Sequence, residues 1–190
     1  AEHLVLLDVD CLPCPQLVGT YDRALGESAT RHDLLCGPVA YLPPPPPSGY
    51  DLDRLDELAA PHPARPAPPL GTVRRGGDHD LFWSLSFATT ATTWRTLGGF
   101  HDGYHGYGGE DTDLGAKARA VGVGLTWLGS ARAHHQHHPT SEPPRQHLDA
   151  ILANARTFHS RWGRWPMTGW LEAFVDEGLL VRRDGGYEVA

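Results

Sequence analysis

Carboxylates, glycines and imidazoles gather at three places in this chain, and together they could serve chemistry on a phosphate leaving group. Asp8-Val9-Asp10 ends the apolar run Leu4 to Leu7. About a hundred residues later comes Gly106-Tyr107-Gly108-Gly109-Glu110-Asp111-Thr112-Asp113, and after it Ala133-His134-His135-Gln136-His137-His138. Hard oxygen ligands suit a divalent ion, and a separate carboxylate can act as base.

Each motif has a plainer reading. Asp8 and Asp10 stand where a buried strand leaves its sheet, so both can reach the crevice in which open α/β folds bind ligands. They could also be loop carboxylates capping the next helix. Glu110, Asp111 and Asp113 occupy the first turn of a helix, where the dipole and free amides favour anions with or without a ligand. The glycines before them let backbone approach a ligand closely, and Tyr104, His105 and Tyr107 offer flat faces on which a sugar ring can stack. His134, His135, His137 and His138 could be a metal site, a pH-sensitive surface or a solvated strand end. One imidazole with carboxylates and phosphate oxygens suits Mn²⁺, with Mg²⁺ as the alternative, whereas the absence of matched Cys and His pairs speaks against structural zinc. Cys11-Leu12-Pro13-Cys14 between a strand and a helix allows another reading, a dithiol oxidoreductase.

The positioning elements read as an α/β chain. Leu4 to Leu7 looks like a central parallel strand, followed by a helix from Gln16 to Leu25 with Gly26 as its stop. Leu34 to Leu42 reads as a second strand. Pro43 to Pro47 must be extended, and the Pro-rich segment 43–70, which holds a short polar helix from Asp51 to Ala60, reads as a floppy surface insertion whose deletion spares the core. Phe82 to Ala88 reads as a strand and Thr90 to Leu97 as a helix stopped by Gly98-Gly99. A helix from Glu110 places Leu114, Ala118 and Val121 on one face and lets Asp113 pair with Lys117. Val123 to Leu128 is the next strand. Arg145 to Arg161 and Pro166 to Glu177 read as helices, and a hairpin turns at Asp184-Gly185-Gly186. The division expected is 1–144 for the core and 145–190 for a helical extension with hairpin.

The chain has 190 residues, a net charge of -7 and a single lysine, Lys117. With no basic block, nucleic acid and anionic membrane are poor partners, whereas a metal bridging carboxylates to a phosphate group fits. No apolar stretch approaches the roughly 20 residues of a membrane span, no signal pattern opens the chain, and three clustered cysteines favour a reducing compartment. The expectation is a cytoplasmic protein, with peripheral membrane association left open.

The three motifs, in this order, resemble the GT-A-fold inverting glycosyltransferases, especially the galactosyltransferase C-terminal region of beta-1,4-galactosyltransferases and of bacterial chondroitin-polymerase-like and related family-two enzymes. Asp8-Val9-Asp10 resembles the family's Asp-x-Asp motif, and Leu97-Gly98-Gly99-Phe100 with Tyr104 to Leu114 resembles its Asn-Gly-Phe and Trp-Gly-Gly-Glu-Asp-Asp-Asp segment. The resemblance implies a Rossmann-related mixed sheet flanked by helices, here the C-terminal part of a larger domain, because family members carry about a hundred residues ahead of Asp-x-Asp. It implies a metal-dependent inverting transfer of a sugar from a nucleotide-diphosphate sugar, UDP-linked in expectation, to an acceptor hydroxyl. In that scheme Asp111 is the general base and Glu110 holds the acceptor. Asp8 contacts the nucleotide, Asp10 binds the metal, and Tyr107, Gly108 and Gly109 line the donor site. His135 is the first choice of imidazole ligand, with His134, His137 and His138 as substitutes, only one of them binding. The rival readings are a non-catalytic carbohydrate-binding or regulatory fragment and the dithiol oxidoreductase.

Overall fold

Leu34, Leu35 and Cys36 are all fully buried, as a strand covered on both faces requires. They form the middle of a five-stranded sheet in the computed structural model, which describes residues 2–190. In chain order the elements are β1 (His3–Leu7), β2 (Cys11–Pro13), α1 (Leu17–Gly26), β3 (Leu34–Cys36), β4 (Val39–Tyr41), α2 (Leu55–Leu58), β5 (Ala60–Pro61), β6 (Val73–Arg75), β7 (Ser86–Thr90), α3 (Ala91–Leu97), α4 (Glu110–Ala120), β8 (Leu125–Leu128), β9 (Ala133–His135), α5 (Leu148–Trp162), α6 (Thr168–Asp176), β10 (Leu180–Arg183) and β11 (Gly186–Val189).

The large sheet has the order β1-β7-β3-β8-β6, and the small one β2-β9-β4-β5. Side-chain alternation along the strands builds a core on each face of the large sheet. Leu35 and Ala88 meet Leu17, Tyr21 and Leu25 of α1 on one side, while Leu34, Phe87, Leu125 and Trp127 meet Leu97 of α3 and Leu114 and Ala118 of α4 on the other. A third apolar cluster joins α5, α6 and the β10–β11 hairpin through Ile151, Leu152, Leu171, Phe174 and Leu180. Among the described residues no helix is long and apolar enough to cross a membrane.

β1 and β3 are both antiparallel to β7, and β3 is parallel to β8, so β1, β3 and β8 run the same way. Each then crosses into the small sheet, as β2, β4 and β9 respectively. The three crossings lie at the same end of the large sheet, and one of them carries Asp8 to Asp10.

Several expectations need correction. Leu4 to Leu7 is not a central parallel strand: among the described residues β1 pairs only with β7, antiparallel. Leu34 to Leu42 is two strands, because the chain changes sheets at Gly37-Pro38, where a Cβ on Gly37 would stand 1.9 Å from the Ala131 carbonyl oxygen. The strand expected from Phe82 starts only at Ser86, and Val121 is 55% exposed because it falls past the last turn of α4.

The Pro-rich segment is not a floppy appendage. Prolines lack an N–H but keep their carbonyls, and Pro43 and Pro69 accept hydrogen bonds from the Tyr50 hydroxyl and the Thr72 amide. β5 pairs with β4, and Leu55 and Arg65 are buried. Asp56 accepts from His134 and forms an ion pair with Arg132, and the Tyr50 hydroxyl accepts from the His137 amide.

Candidate functional site

Asp8 to Asp10 form a tight turn closed by the Cys11 amide donating to the Asp8 carbonyl at 3.0 Å. The turn separates the two carboxylates. Asp8 is exposed and spends one oxygen on the Val9 amide. Asp10 faces β9, because β2 and β9 pair with Cys11 opposite His135 and because the Gln136 amide donates to the Asp10 carbonyl. The Asp10 Oδ2 atom lies 3.2 Å from His135 Nε2 and 3.5 Å from His138 Nε2. The three ligand atoms fall within 4.8 Å of one another.

Of the four histidines, then, the fold brings two to Asp10 and turns two away. His134 is buried and places Nε2 2.9 Å from Asp56, while His137 contributes its backbone to Tyr50. Two imidazoles thus stand beside Asp10, where one was expected to bind, because the chain after β9 bends His138 back over His135. The donor set, two imidazole nitrogens and a carboxylate with open positions, fits a first-row divalent ion such as Mn²⁺. The second Asp10 oxygen, Oδ1, is buried without a protein hydrogen-bond partner, which also fits an ion as its missing partner.

The glycine loop is held from outside its own sequence. Asn154 of α5 is buried, and its amide nitrogen donates to the carbonyls of His105, Tyr107 and Gly108 at 3.0, 3.3 and 2.7 Å. Its oxygen accepts from the His105 amide. Gly109, at φ 99°, takes a left-handed conformation as the N-cap of α4, which starts the helix at Glu110. Tyr107 stacks on His147 with ring centroids 4.3 Å apart and leans on Trp170 at 5.8 Å. Nothing local in the sequence marks Asn154, His147 or Trp170, which belong to the segment after 144.

The three carboxylates of the first turn of α4 have different surroundings. Asp113 is fully buried and accepts from Trp162 Nε1, Arg161 Nε and the Tyr104 hydroxyl at 2.7, 2.8 and 3.2 Å. Burial pushes its carboxyl up, but the bonds from Trp162 and Arg161 and the charges of Arg161 and Lys117 outweigh it and hold the group below the usual range. Asp113 thus docks α5 against α4. Asp111 accepts from the Thr112 amide and hydroxyl on Oδ1 alone. Burial first, and the Glu110 charge second, push its carboxyl up to about 6 against the bonds from Thr112 and the charge of Arg65. Glu110 is half-buried beside it. The Tyr107 phenol is pushed up by burial and then by Asp111, Glu110, Glu142 and Asp10, so Tyr107 feels both the glycine-loop carboxylates and the turn carboxylate.

A wall of aromatic rings runs from the Asp10 cluster inward. Tyr41 stacks on His135 at 4.9 Å and tilts against His62 at 5.9 Å, and His62 meets Trp83 edge-on at 4.7 Å. Beyond Trp83 lies Arg65, with its guanidinium carbon 5.1 Å from the Trp83 ring centroid and 5.2 Å from that of Trp127. Composition hides this residue, since a Pro-rich stretch reads as solvated chain.

The cysteines do not form a dithiol centre. Burial, then Asp10 and Asp8, push the Cys11 thiol up to about 12, opposite to the low pKa a reactive thiolate needs. Cys14 precedes α1 by three residues, since the helix begins at Leu17, and its thiol donates to the Ser130 carbonyl.

Comparison with known proteins agrees with this architecture. Residues 78–139 match a family described as the N-terminal domain of galactosyltransferase. Among solved structures, GalNAc-T7 with UDP, GalNAc and Mn²⁺ superposes with a TM-score of 0.51 at 12% identity, over 93% of this chain and 40% of that one. The chain therefore spans about two fifths of that protein's length. No curated protein matches at the level of sequence. The fold is GT-A-like, with mixed sheets flanked by helices.

Proposed function

We propose that this chain carries the metal-binding and acceptor-activating parts of an inverting glycosyltransferase, which moves a sugar from a UDP-sugar to an acceptor hydroxyl. The observation that carries the reading is the convergence of Asp10, His135 and His138, with Asp10 close enough to act on Tyr107 of the glycine loop. Those three residues would hold Mn²⁺ or Mg²⁺. When bound, the ion supplies positive charge against the diphosphate leaving group.

The remaining work falls to the chain itself. Asp111 keeps one oxygen anchored on Thr112 and the other open, so the open oxygen takes the acceptor's hydroxyl proton as that hydroxyl attacks the anomeric carbon. Its carboxyl at about 6 is ionised at neutral pH yet basic enough to accept a proton. Glu110 holds the acceptor hydroxyl, and Asp8 is assigned to the nucleotide. Tyr107, braced by His147, offers an aromatic face to a sugar ring, and Gly108 and Gly109 bring backbone close to it. Inversion follows from a base on the face opposite the leaving group.

Calorimetric titration of Mn²⁺ with and without UDP tests the first half of the reading. Binding that UDP strengthens and that Asp10→Ala abolishes is the expected result, and Mn²⁺ binding unaffected by Asp10→Ala would sink it. For the second half, Asp111→Asn should abolish transfer while leaving metal-dependent UDP binding intact. Transfer that survives in this variant removes Asp111 from the base role.

A further inference from the structure

Arg65 is only 7% exposed, yet it has no carboxylate within 4.0 Å among the described residues. One nitrogen, Nη2, donates to the Trp83 carbonyl at 3.2 Å. Nε and Nη1 have no protein partner, nor does the neighbouring Trp127 Nε1. A buried guanidinium with two unbonded nitrogens is costly, and such groups are nearly always paired. The indoles of Trp83 and Trp127 compensate only part of this, because rings engage the faces of a guanidinium whereas its N–H bonds lie in its plane.

We propose that Arg65 is an oxyanion receptor in the wall of the donor pocket, taking an anionic oxygen of the nucleotide sugar. This rests on the donor-binding reading above and deepens it. The placement follows from three observations. The aromatic wall from His135 through Tyr41, His62 and Trp83 leads directly to Arg65. The charges of Arg65 and Asp111 act on one another, which puts the guanidinium on the side of the site where Asp111 stands. Asp10, Glu110 and Asp111 all act on Tyr107, so carboxylates gather at this place, and Arg65 is a fixed cation that can offset an incoming negative charge there. The oxyanion can come from the diphosphate or from a carboxylate on the donated sugar.

The test is calorimetric titration of UDP, UDP-glucose and UDP-glucuronic acid into the full chain with saturating Mn²⁺, for wild type, Arg65→Gln and Arg65→Lys. Loss of a charged hydrogen bond should weaken binding by about tenfold or more in Arg65→Gln, with partial recovery in Arg65→Lys. Weakening of all three ligands assigns the diphosphate, and weakening of UDP-glucuronic acid alone assigns a sugar carboxylate. Equal affinities in wild type and Arg65→Gln for all three, with Mn²⁺ binding intact, overturn the assignment and leave the metal-nucleotide reading standing. A wild-type chain that binds Mn²⁺ but no nucleotide overturns both. Should Arg65→Gln fail to fold, the Arg65 Nε–Hε resonance, assigned by its loss in Arg65→Lys, must shift when UDP or UDP-glucuronic acid is added to the wild type; a resonance unmoved by either overturns the proposal.

Discussion

Asp111 combines an anchored oxygen with a raised carboxyl, and both properties carry consequences at the level of one residue. Transfer should fall on the acid side with an apparent pKa near 6, because protonation there removes the proposed base; a pH profile of kcat/KM flat down to pH 4 would contradict the assignment. The stability consequence has the opposite sense. A carboxyl raised from 3.8 to about 6 in the folded state destabilises the fold once pH exceeds both values. Asp111→Asn should therefore gain stability above about pH 6, by up to ~3 kcal/mol, and lose that gain below about pH 4, as thermal melts across pH would reveal. At the proposed metal cluster, His138→Ala should weaken Mn²⁺ binding at least about tenfold, since even groups that only orient ligands matter that much, whereas His134→Ala should leave the affinity unchanged. Calorimetry on the two variants separates these outcomes.

At the scale of elements, α5 shapes the loop that opens α4. Its Asn154 meets four backbone groups of residues 105–108, and its C-terminal end reaches Asp113 through Arg161 and Trp162. Asn154→Ala would leave three carbonyls and one amide without that partner, and should cost about 2–3 kcal/mol in denaturant unfolding. It should also lower kcat through disorder of the loop, while Mn²⁺ affinity at the Asp10 cluster, which Asn154 does not hold, stays as it is. The Pro-rich segment makes a second case. A solvated insertion can be shortened at little expense, but this one supplies β5, the Asp56 partner of His134 and the buried Arg65. Its deletion should lower Tm by many degrees rather than a few, and a melt unchanged by deletion of 43–70 would show that those contacts contribute nothing.

For the molecule as a whole, a net charge of -7 and a candidate site rich in carboxylates mean that an anionic ligand must bring or meet positive charge, which Arg65 and an ion held by the Asp10 cluster, as proposed, would supply. We further propose that 1–144 forms the core and 145–190 an extension with its own apolar cluster, one that completes the site rather than appending to it. Removing residues 145–190 should leave Mn²⁺ binding at Asp10 and His135 but abolish protection of the 105–109 amides, as hydrogen exchange on the truncated and full chains can measure.

Some of this was legible in the sequence, where the signal is local. The apolar spacing of Leu17, Tyr21 and Leu25, the glycine stop after Leu97, the acidic first turn at Glu110 and the hairpin at Asp184-Gly185 act within a few residues, so pattern alone located α1, α3, α4 and the β10–β11 turn. The segments holding Asp10, the glycine loop and the histidines stood out for the same reason, as dense runs of residue types suited to one chemistry. Tertiary structure decided what those runs face. Whether His134 or His138 joins His135 depends on the bend after β9, and the edge position of β1 depends on which strands pair with it. The roles of Asn154 and Arg65 depend on contacts spanning 46–49 and 18 residues. No local pattern encodes those contacts, because they arise only when the sheet crossings bring distant segments to one end of the fold.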